Sequence, residues 1–470
     1  MATATATKST TELLSTEPIP RLFIRMAIPA VTAQVVNTLY VLVDRVYIGR
    51  MEGSDGLALT GVGVCMSLIA FINAFTNLVS MGGAPRASMM LGKNDEESAL
   101  SILGNCFTLL LTMGVLLTAF FALFSEPLLL SFGASENTIP YAMSYMNVYI
   151  IGTISVQLSM GMNAFITAQG FAKTSMMTIL IGAVINIILD PIFIFTLNLG
   201  VAGAALATII SQTISAIWVI RFLTGKKTKL KLQKKYMKFK KEIIMPCIFL
   251  GTSPFIMSST EGLLNISFNS SLLKYGGDIA VGTMTIMASL WTVVMMPLFG
   301  FAQGAQPITS FNYGAKNVDR VRQSVSILIK VAFSYTMVVW AIYMLFPRAV
   351  VSIFAKSSPE LIDYASWAIY RYAPLAGLMG LQLACQQCFL ALGQTKVSLF
   401  LALLRKIFLL IPLIFILPMF MEDKVAAVFL AEPVSDFIAI ATTCILFYLQ
   451  FGRIMTELEV EKDNAVVLEK

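Results

Sequence analysis

The sequence predicts an all-α polytopic membrane protein with twelve transmembrane helices, and three observations support this fold class. Of the 470 residues, 57% are hydrophobic and only 13% are charged, and the mean hydropathy is +0.79. A soluble chain would carry about twice that fraction of charge. The apolar residues fall into stretches of about 20 residues, the length that crosses a bilayer as a helix. The two halves of the sequence also repeat the same motifs at a nearly constant offset.

The apolar stretches place the twelve predicted spans near 20–46, 56–81, 98–123, 139–161, 175–196, 201–223, 244–271, 279–303, 323–347, 361–389, 396–419 and 424–451. They divide the chain into a disordered N-terminal tail (1–19), an N-lobe (20–224), a basic cytoplasmic linker (225–243), a C-lobe (244–451) and a C-terminal tail (452–470). The N-terminal tail is expected to be disordered because it is polar and rich in Thr and Ala.

The internal repeat is visible as shared motifs. The segment Gly82-Gly-Ala-Pro85 recurs as Gly304-Ala-Gln-Pro307, and Gly92 recurs as Gly314, each 222 residues later. Six spans per half is an even number, so both halves start on the same side of the membrane. The halves are therefore predicted to be parallel six-helix lobes, related by a pseudo-two-fold axis along the membrane normal, with the substrate site between them.

The distribution of positive charge predicts the orientation. The linker between the halves holds nine lysines, at positions 226, 227, 229, 231, 234, 235, 238, 240 and 241. By the positive-inside rule, both termini are cytoplasmic and the chain is a multi-pass protein of the plasma membrane. The net charge of +7 is then a matter of topology and contact with anionic membrane lipids, and nucleic acid is not an expected partner.

Two acidic residues lie in apolar stretches, where a charge costs several kcal/mol and marks an ion or proton path. Asp190 follows Asn186 by four residues, so both side chains share one helix face, and Pro191 frees a backbone carbonyl nearby. Asp44 ends the first apolar stretch. Thr208, early in the sixth span, is expected at the same depth. This depth is roughly 24 Å from the cytoplasmic end, at 1.5 Å per residue.

We interpret Asp44, Asn186, Asp190 and Thr208 as a cation or proton coupling site. These oxygen ligands suit a small hard cation such as Na⁺, in which case all four would be its metal ligands. Two neighbouring acids in a low dielectric equally suit a proton. A polar network that only fixes helix packing is the alternative. Glu261 is the acid predicted in the C-lobe, either as a second coupling residue or as a structural partner of Asn265.

Five polar residues are expected to line a substrate cavity between the halves: Asn37, Tyr40, Asn163, Gln382 and Gln386. Asn163 and Gln386 occupy equivalent positions of the repeat. The 27 methionines would suit an adaptable apolar pocket, although for any single methionine packing is the simpler role.

The composition excludes several classes of protein. Without histidine, neither His-based catalysis nor His metal ligation is available. No nucleotide-binding motif is present, so transport would be driven by an ion gradient. We expect no enzymatic activity, no catalytic residues and no cofactor apart from a coupling H⁺ or Na⁺. The expected partners are small amphipathic molecules and membrane lipids, and the chain is expected to be a monomer.

Taken in order, these motifs resemble the multidrug and toxic compound extrusion (MATE) family over about residues 20–450. The resemblance rests on the repeat, Asp44, the Gly82–Gly92 segment, Asn163 with Gln169-Gly170, and Asn186 to Pro191. It implies a V-shaped twelve-helix exporter whose lobes rock, and which exchanges amphipathic, often cationic drugs for Na⁺ or H⁺. Asp44, Asn186, Asp190 and Thr208 match an N-lobe site, Asn37 and Asn163 match cavity positions, and Glu261 matches a seventh-helix acid of the sodium-coupled branch.

Two alternatives remain beside this interpretation. A lipid-linked oligosaccharide flippase of the same superfamily would generally need a more basic cavity than these helices provide. A lipid-modifying membrane enzyme would turn over its substrate without an ion gradient. The sequence does not decide between Na⁺ and H⁺.

Overall fold

The computed structural model describes residues 10–51, 56–354 and 359–468, with side chains up to residue 464. Sixteen α-helices occupy most of these ranges: α1 Thr10–Thr16, α2 Ile19–Gly49, α3 Leu57–Gly92, α4 Glu96–Ser131, α5 Ile139–Ile151, α6 Thr153–Ala168, α7 Ala172–Pro191, α8 Gly200–Thr224, α9 Lys241–Gly314, α10 Val318–Leu345, α11 Pro347–Ser352, α12 Pro359–Tyr372, α13 Met379–Ala391, α14 Thr395–Leu403, α15 Ile411–Phe420 and α16 Lys424–Leu468. Short π-helical segments follow α7 (Ile192–Thr196) and join α14 to α15 (Leu404–Leu410).

The twelve predicted spans are confirmed, although two of them are broken and two are joined in one long helix. Helices α5 and α6 form one span that bends by 59° at Gly152. Helix α9 contains two spans that meet at Gly277, whose φ of 64° favours a glycine. Helices α12 and α13 form the tenth span around an irregular turn at 373–378. There the indole of Trp340 donates a 2.9 Å hydrogen bond to the carbonyl of Pro374, which satisfies a freed backbone oxygen.

The outer surface of the bundle is apolar. Large side chains such as Leu123, Ile151 and Phe420 are exposed on it. A contiguous apolar surface of this size is stable only against lipid, and helices are one of the two structures whose backbone is satisfied there. The chain is therefore a multi-pass membrane protein.

The two six-helix lobes meet through reciprocal contacts between equivalent residues. A Cβ atom added to Gly92 would lie 2.0 Å from the carbonyl oxygen of Phe311, and one added to Gly314 would lie 2.0 Å from that of Met89. Phe311 and Gly314 are the residues that follow Met89 and Gly92 by 222 positions. An exchange of the same contact in both directions is what a two-fold axis produces.

These contacts lie on the side of the bundle that also holds both ends of the chain, here called the terminal side. Arg320 on α10 donates hydrogen bonds to the carbonyls of Leu14 and Glu17, and Arg322 forms an ion pair with Glu459 of α16. The lobes are thus closed against each other on the terminal side.

The ends of the chain differ from the predicted tails. The prediction of a disordered segment over 1–19 is wrong from residue 10, because α1 buries Leu14 and is held by Arg320. The predicted C-terminal tail is helical over most of its length, since α16 continues to Leu468. Residues 1–9 and 469–470 of the two predicted tails lie outside the described residues.

The basic linker follows α8 and is bound to the N-lobe. The side-chain oxygen of Gln169 accepts hydrogen bonds from the Thr228 hydroxyl and from the backbone amides of Lys229 and Leu230, at 2.8–3.1 Å. Asn105 accepts a further bond of 2.7 Å from the amide of Lys240. The linker therefore has a fixed path across the terminal side.

The close approach of the lobes leads to the first prediction. In Gly314→Ala, the new methyl group overlaps the Met89 carbonyl and must push the lobes apart, at a cost of about 1–3 kcal/mol. We expect a lower melting temperature for the purified variant. Gly63→Ala is the control, because nothing lies within 4 Å of a Cβ at that position. Equal melting of the two variants would contradict the reciprocal contact.

Candidate functional site

The polar residues predicted in the fifth and sixth spans meet in the interior of the N-lobe. Asn186 and Asp190 lie one turn apart on α7, and both are at most 1% exposed. The amide nitrogen of Asn186 donates to Oδ1 of Asp190 at 3.1 Å and to the hydroxyl of Thr208 on α8 at 3.4 Å. The amide thus orients both neighbours, and the π-helical segment begins directly after Pro191. Such segments frequently mark functional sites.

Asp44 reaches the same place from α2, which packs along α7. Asp44 is only 5% exposed, although it lies near the end of α2 and is followed by Arg45. Asp44 interacts electrostatically with Asp190. Both carboxylates also interact electrostatically with the phenol group of Tyr40, which lies one turn before Asp44 on α2. The structure therefore brings together all four residues predicted for the N-lobe coupling site.

Three oxygen atoms of this site are buried without a hydrogen-bond donor: Oδ1 of Asp44, Oδ1 of Asn186 and Oδ2 of Asp190. Buried carboxylate oxygens are costly unless a cation or a proton neutralises them. The two carboxylates, the amide and the hydroxyl provide oxygen ligands, which suit a small hard cation such as Na⁺. Two neighbouring carboxylates equally suit a shared proton. Among the described residues, no group of three or more His, Cys, Asp or Glu side chains is placed to hold a metal ion.

A cavity of about 200 Å³ lies close to this site, between α2, α3, α6, α7, α8 and α9. Tyr40, Gly182 and Ala183 belong to its wall, and each lies about one helical turn from Asp44 or Asn186 along the chain. Polar side chains and three methionines line it. Asn37 and Asn163 line it as predicted, together with Gln34, Asn77, Ser159, Met160, Met176, Gln212, Gln303 and Gln306.

The predicted single cavity between the halves is divided into two. Gln382 and Gln386 line a second cavity of about 410 Å³ in the C-lobe, and Gln34 contributes to both cavities. Residues of both halves line both cavities, since Gln303 and Gln306 of α9 line the first and Gln34 of α2 lines the second. The five predicted residues therefore line two neighbouring cavities instead of one. The wall of the second cavity includes Trp291, Phe299, Met295, Met296 and Met379.

Glu261 lines this second cavity but has a partner that the sequence did not indicate. Its carboxylate forms an ion pair with the ammonium group of Lys406, which also donates to the carbonyl of Met257 at 2.8 Å. The Lys406 side chain is 5% exposed and that of Glu261 is 60% exposed. The side chain that binds Glu261 is therefore Lys406, and not Asn265 as the sequence had suggested. The role of Glu261 as a coupling residue stays a prediction.

Sequence reasoning missed Glu432 and Asp436 on α16. Both are buried and bind Arg405 of the π-helical segment. The signal was present, because Glu432-Pro433 and Asp436 repeat the pattern of two polar residues four apart with a proline, in an apolar run. The last span therefore resembles the fifth, in which Asn186 and Asp190 are also four residues apart. The proline follows the first polar residue in the last span and the second one in the fifth.

Comparison with known proteins agrees with this architecture. The family described as MatE matches residues 29–192 and 254–416, once in each lobe. A multidrug export protein MepA of Staphylococcus haemolyticus is 24% identical over 415 residues, which is 88% of this chain and 90% of that protein. The solved structure of the MATE multidrug transporter DinF-BH is 33% identical, with a TM-score of 0.86 over 94% of this chain and 98% of that one. A MATE structure in a bent conformation superimposes with a TM-score of 0.89 at 22% identity, over 96% and 100% of the two chains.

The fold and the buried site define a polytopic membrane transporter with two pseudo-symmetric lobes. The chain belongs to the MATE family, since the family matches most of its length and both of its halves.

The ion pair in the C-lobe allows a direct test of the place of Glu261. Glu261→Gln leaves the buried ammonium of Lys406 without its counter-charge, so we expect a loss of stability on the order of 2 kcal/mol. This loss is smaller than for a fully buried pair because Glu261 is 60% exposed. Adding Lys406→Met removes the uncompensated charge, and the double variant should recover most of the melting temperature. If Lys406→Met gave no recovery, the ion pair would not be the interaction that Glu261 makes.

Proposed function

We propose that this protein is a secondary multidrug efflux antiporter. It exports amphipathic, often cationic compounds in exchange for H⁺ or Na⁺. The observation that carries this proposal is the set of three buried oxygens without donors, on Asp44, Asn186 and Asp190, one helical turn from residues that line an organic-sized cavity. One site then binds the ion and the adjoining cavity binds the substrate.

The arrangement of the lobes supports exchange by alternating access. With both termini on the cytoplasmic face of the plasma membrane, as the lysine-rich linker favours, the lobe contacts at Gly92 and Gly314 close the cytoplasmic side. Ion binding at Asp44 and Asp190 and substrate binding in the cavity then stabilise different lobe arrangements. Coupling is a population shift between two states, and each ligand lowers the affinity for the other.

The cavity wall supports amphipathic substrates. Thioethers such as Met160 and Met176 adapt to differently shaped apolar groups, while Asn37, Asn163 and Gln34 offer hydrogen bonds. The similar proteins described above are a multidrug export protein and a multidrug transporter, which agrees with this substrate class. The protein acts as a monomer surrounded by lipid.

A lipid-linked oligosaccharide flippase is the second candidate function. The basic groups on the cavity walls, Arg405 and Lys406, favour an anionic ligand only if they are free. Both are paired with acids: Arg405 with Glu432 and Asp436, and Lys406 with Glu261. The cavities therefore carry no excess of positive charge for a pyrophosphate group, and efflux of small molecules is the better-supported function.

The proposal predicts that Asp190→Asn abolishes export of a fluorescent organic cation from cells. The substitution keeps the shape of the side chain but removes the charge that binds the ion, so the gradient no longer drives the exchange. We expect retention of the dye equal to that of cells without the transporter, at normal amounts of protein in the membrane. The measurement is dye efflux from preloaded cells, normalised to membrane expression.

Asp319→Asn is the matched control, because this carboxylate is exposed in the first turn of α10, far from both cavities. It should export as the unchanged protein does. Equal export by Asp190→Asn would contradict the coupling role. If the unchanged protein exported no dye but moved lipid-linked oligosaccharides, the flippase would replace the proposed function.

A further inference from the structure

The C-lobe contains a buried cluster of charged side chains that the proposed coupling site does not use. Arg405, in the π-helical segment, donates from Nε to Oδ1 of Asp436 at 2.8 Å and from Nη2 to Oε1 of Glu432 at 2.9 Å. The side chains of Arg405, Glu432 and Asp436 are 12%, 6% and 3% exposed. Because Glu432 and Asp436 are four residues apart on α16, one guanidinium holds both carboxylates on the same helix face.

The charges of this triad do not balance. Arg405 supplies one positive charge against two carboxylates, and the neighbouring ammonium of Lys406 is already paired with Glu261. The other groups that face the triad are Tyr372 of α12, which interacts electrostatically with Glu432 and Asp436, and the ring of Trp291, 5.6 Å from the guanidinium. With Tyr372 neutral and both acids of the triad ionised, the five charged side chains carry two positive and three negative charges, and Glu261 is already paired with Lys406. The cluster therefore has an excess of one negative charge.

An excess charge in the interior of a membrane protein is costly, because neither lipid nor packed side chains solvate it. Two carboxylates on one cation relieve this cost when they share a proton, since one of them is then neutral. The cluster also has access to the second cavity, whose wall includes Arg405, Lys406 and Glu261. In the same wall, Oε1 of Gln382 is buried without a donor, so the cavity offers a hydrogen-bond acceptor for a water molecule that could carry the proton.

We propose that Glu432 and Asp436 share one exchangeable proton, held by Arg405, and that the C-lobe thereby carries a proton-binding site separate from Asp44 and Asp190. The proton enters and leaves through the second cavity. The proposal extends the ion coupling of the proposed function to the other lobe, but its test does not depend on transport. The C-lobe positions equivalent to Asp190 and Thr208 are Leu413 and Ala431, so this site is not the repeat of the N-lobe one.

The test is infrared spectroscopy of the full chain in sodium-free lipid nanodiscs, in an Asp44→Asn/Asp190→Asn background that removes the N-lobe acids. A protonated carboxyl group has a C=O stretching band apart from the carboxylate bands. We expect this band at neutral pH, a shift of the band in D₂O, and its loss at alkaline pH. Each of Glu432→Gln and Asp436→Asn alone should remove it, because Arg405 fully neutralises the one remaining carboxylate. Asp319→Asn should leave it unchanged.

Three results would overturn the proposal. A background protein without the band at neutral pH would show that both acids are ionised. A band that survives each single substitution would place the proton on another residue. A band that disappears when Na⁺ is added at constant pH would assign the site to a metal cation. The alkaline titration needs no change in the triad, so it remains decisive even if a triad variant fails to fold. If Asp190→Asn did not affect export, the proposed coupling role of Asp190 would be contradicted. The infrared test of Glu432 and Asp436 would not be affected by that result.

Discussion

The structure depends on how buried negative charge is neutralised inside an apolar bundle. In the N-lobe, neither Asp44 nor Asp190 forms an ion pair among the described residues, and three oxygens of the site lack a donor. In the C-lobe, Arg405 and Lys406 bind Glu432, Asp436 and Glu261. A bundle in lipid tolerates charges only when each is paired, protonated or bound to an ion. In the proposed function, the N-lobe site takes its counter-charge from an ion or proton in solution, whereas the C-lobe carries most of its counter-charge on its own side chains.

The contact between the lobes connects ligand binding with the arrangement of the lobes. Glycines at equivalent positions let the backbones of α3 and α9 approach closely on the terminal side, and the same contact is made in both directions. Small residues at helix crossings allow two packed arrangements to differ little in energy. A ligand that binds one arrangement better then shifts the population, and an ion of modest affinity is sufficient for this.

Much of this account was predictable from the sequence. Spans follow from apolar length, the repeat from a constant offset, and the N-lobe site from Asp190 and Asn186 at helical spacing, because these signals are local. The division of the cavity and the pairing of Glu261 with Lys406 were not predictable, since residues 145 positions apart meet only through packing. The order of α1 depends likewise on Arg320, some 300 residues away. Glu432 and Asp436 had a local signal, but their unbalanced charge appears only when Arg405 is placed between them.

The central claim is that substrate and ion exchange across the membrane through Asp44 and Asp190, and thermodynamic reciprocity tests it most directly. Proteoliposomes of the purified chain, loaded with an organic cation and given no ion gradient, would be followed for ion movement with a pH indicator or a Na⁺ indicator. The account predicts that dye leaving the vesicles drives H⁺ or Na⁺ inward, and that Asp190→Asn stops both movements. Dye movement without any counter-movement of either ion would contradict it.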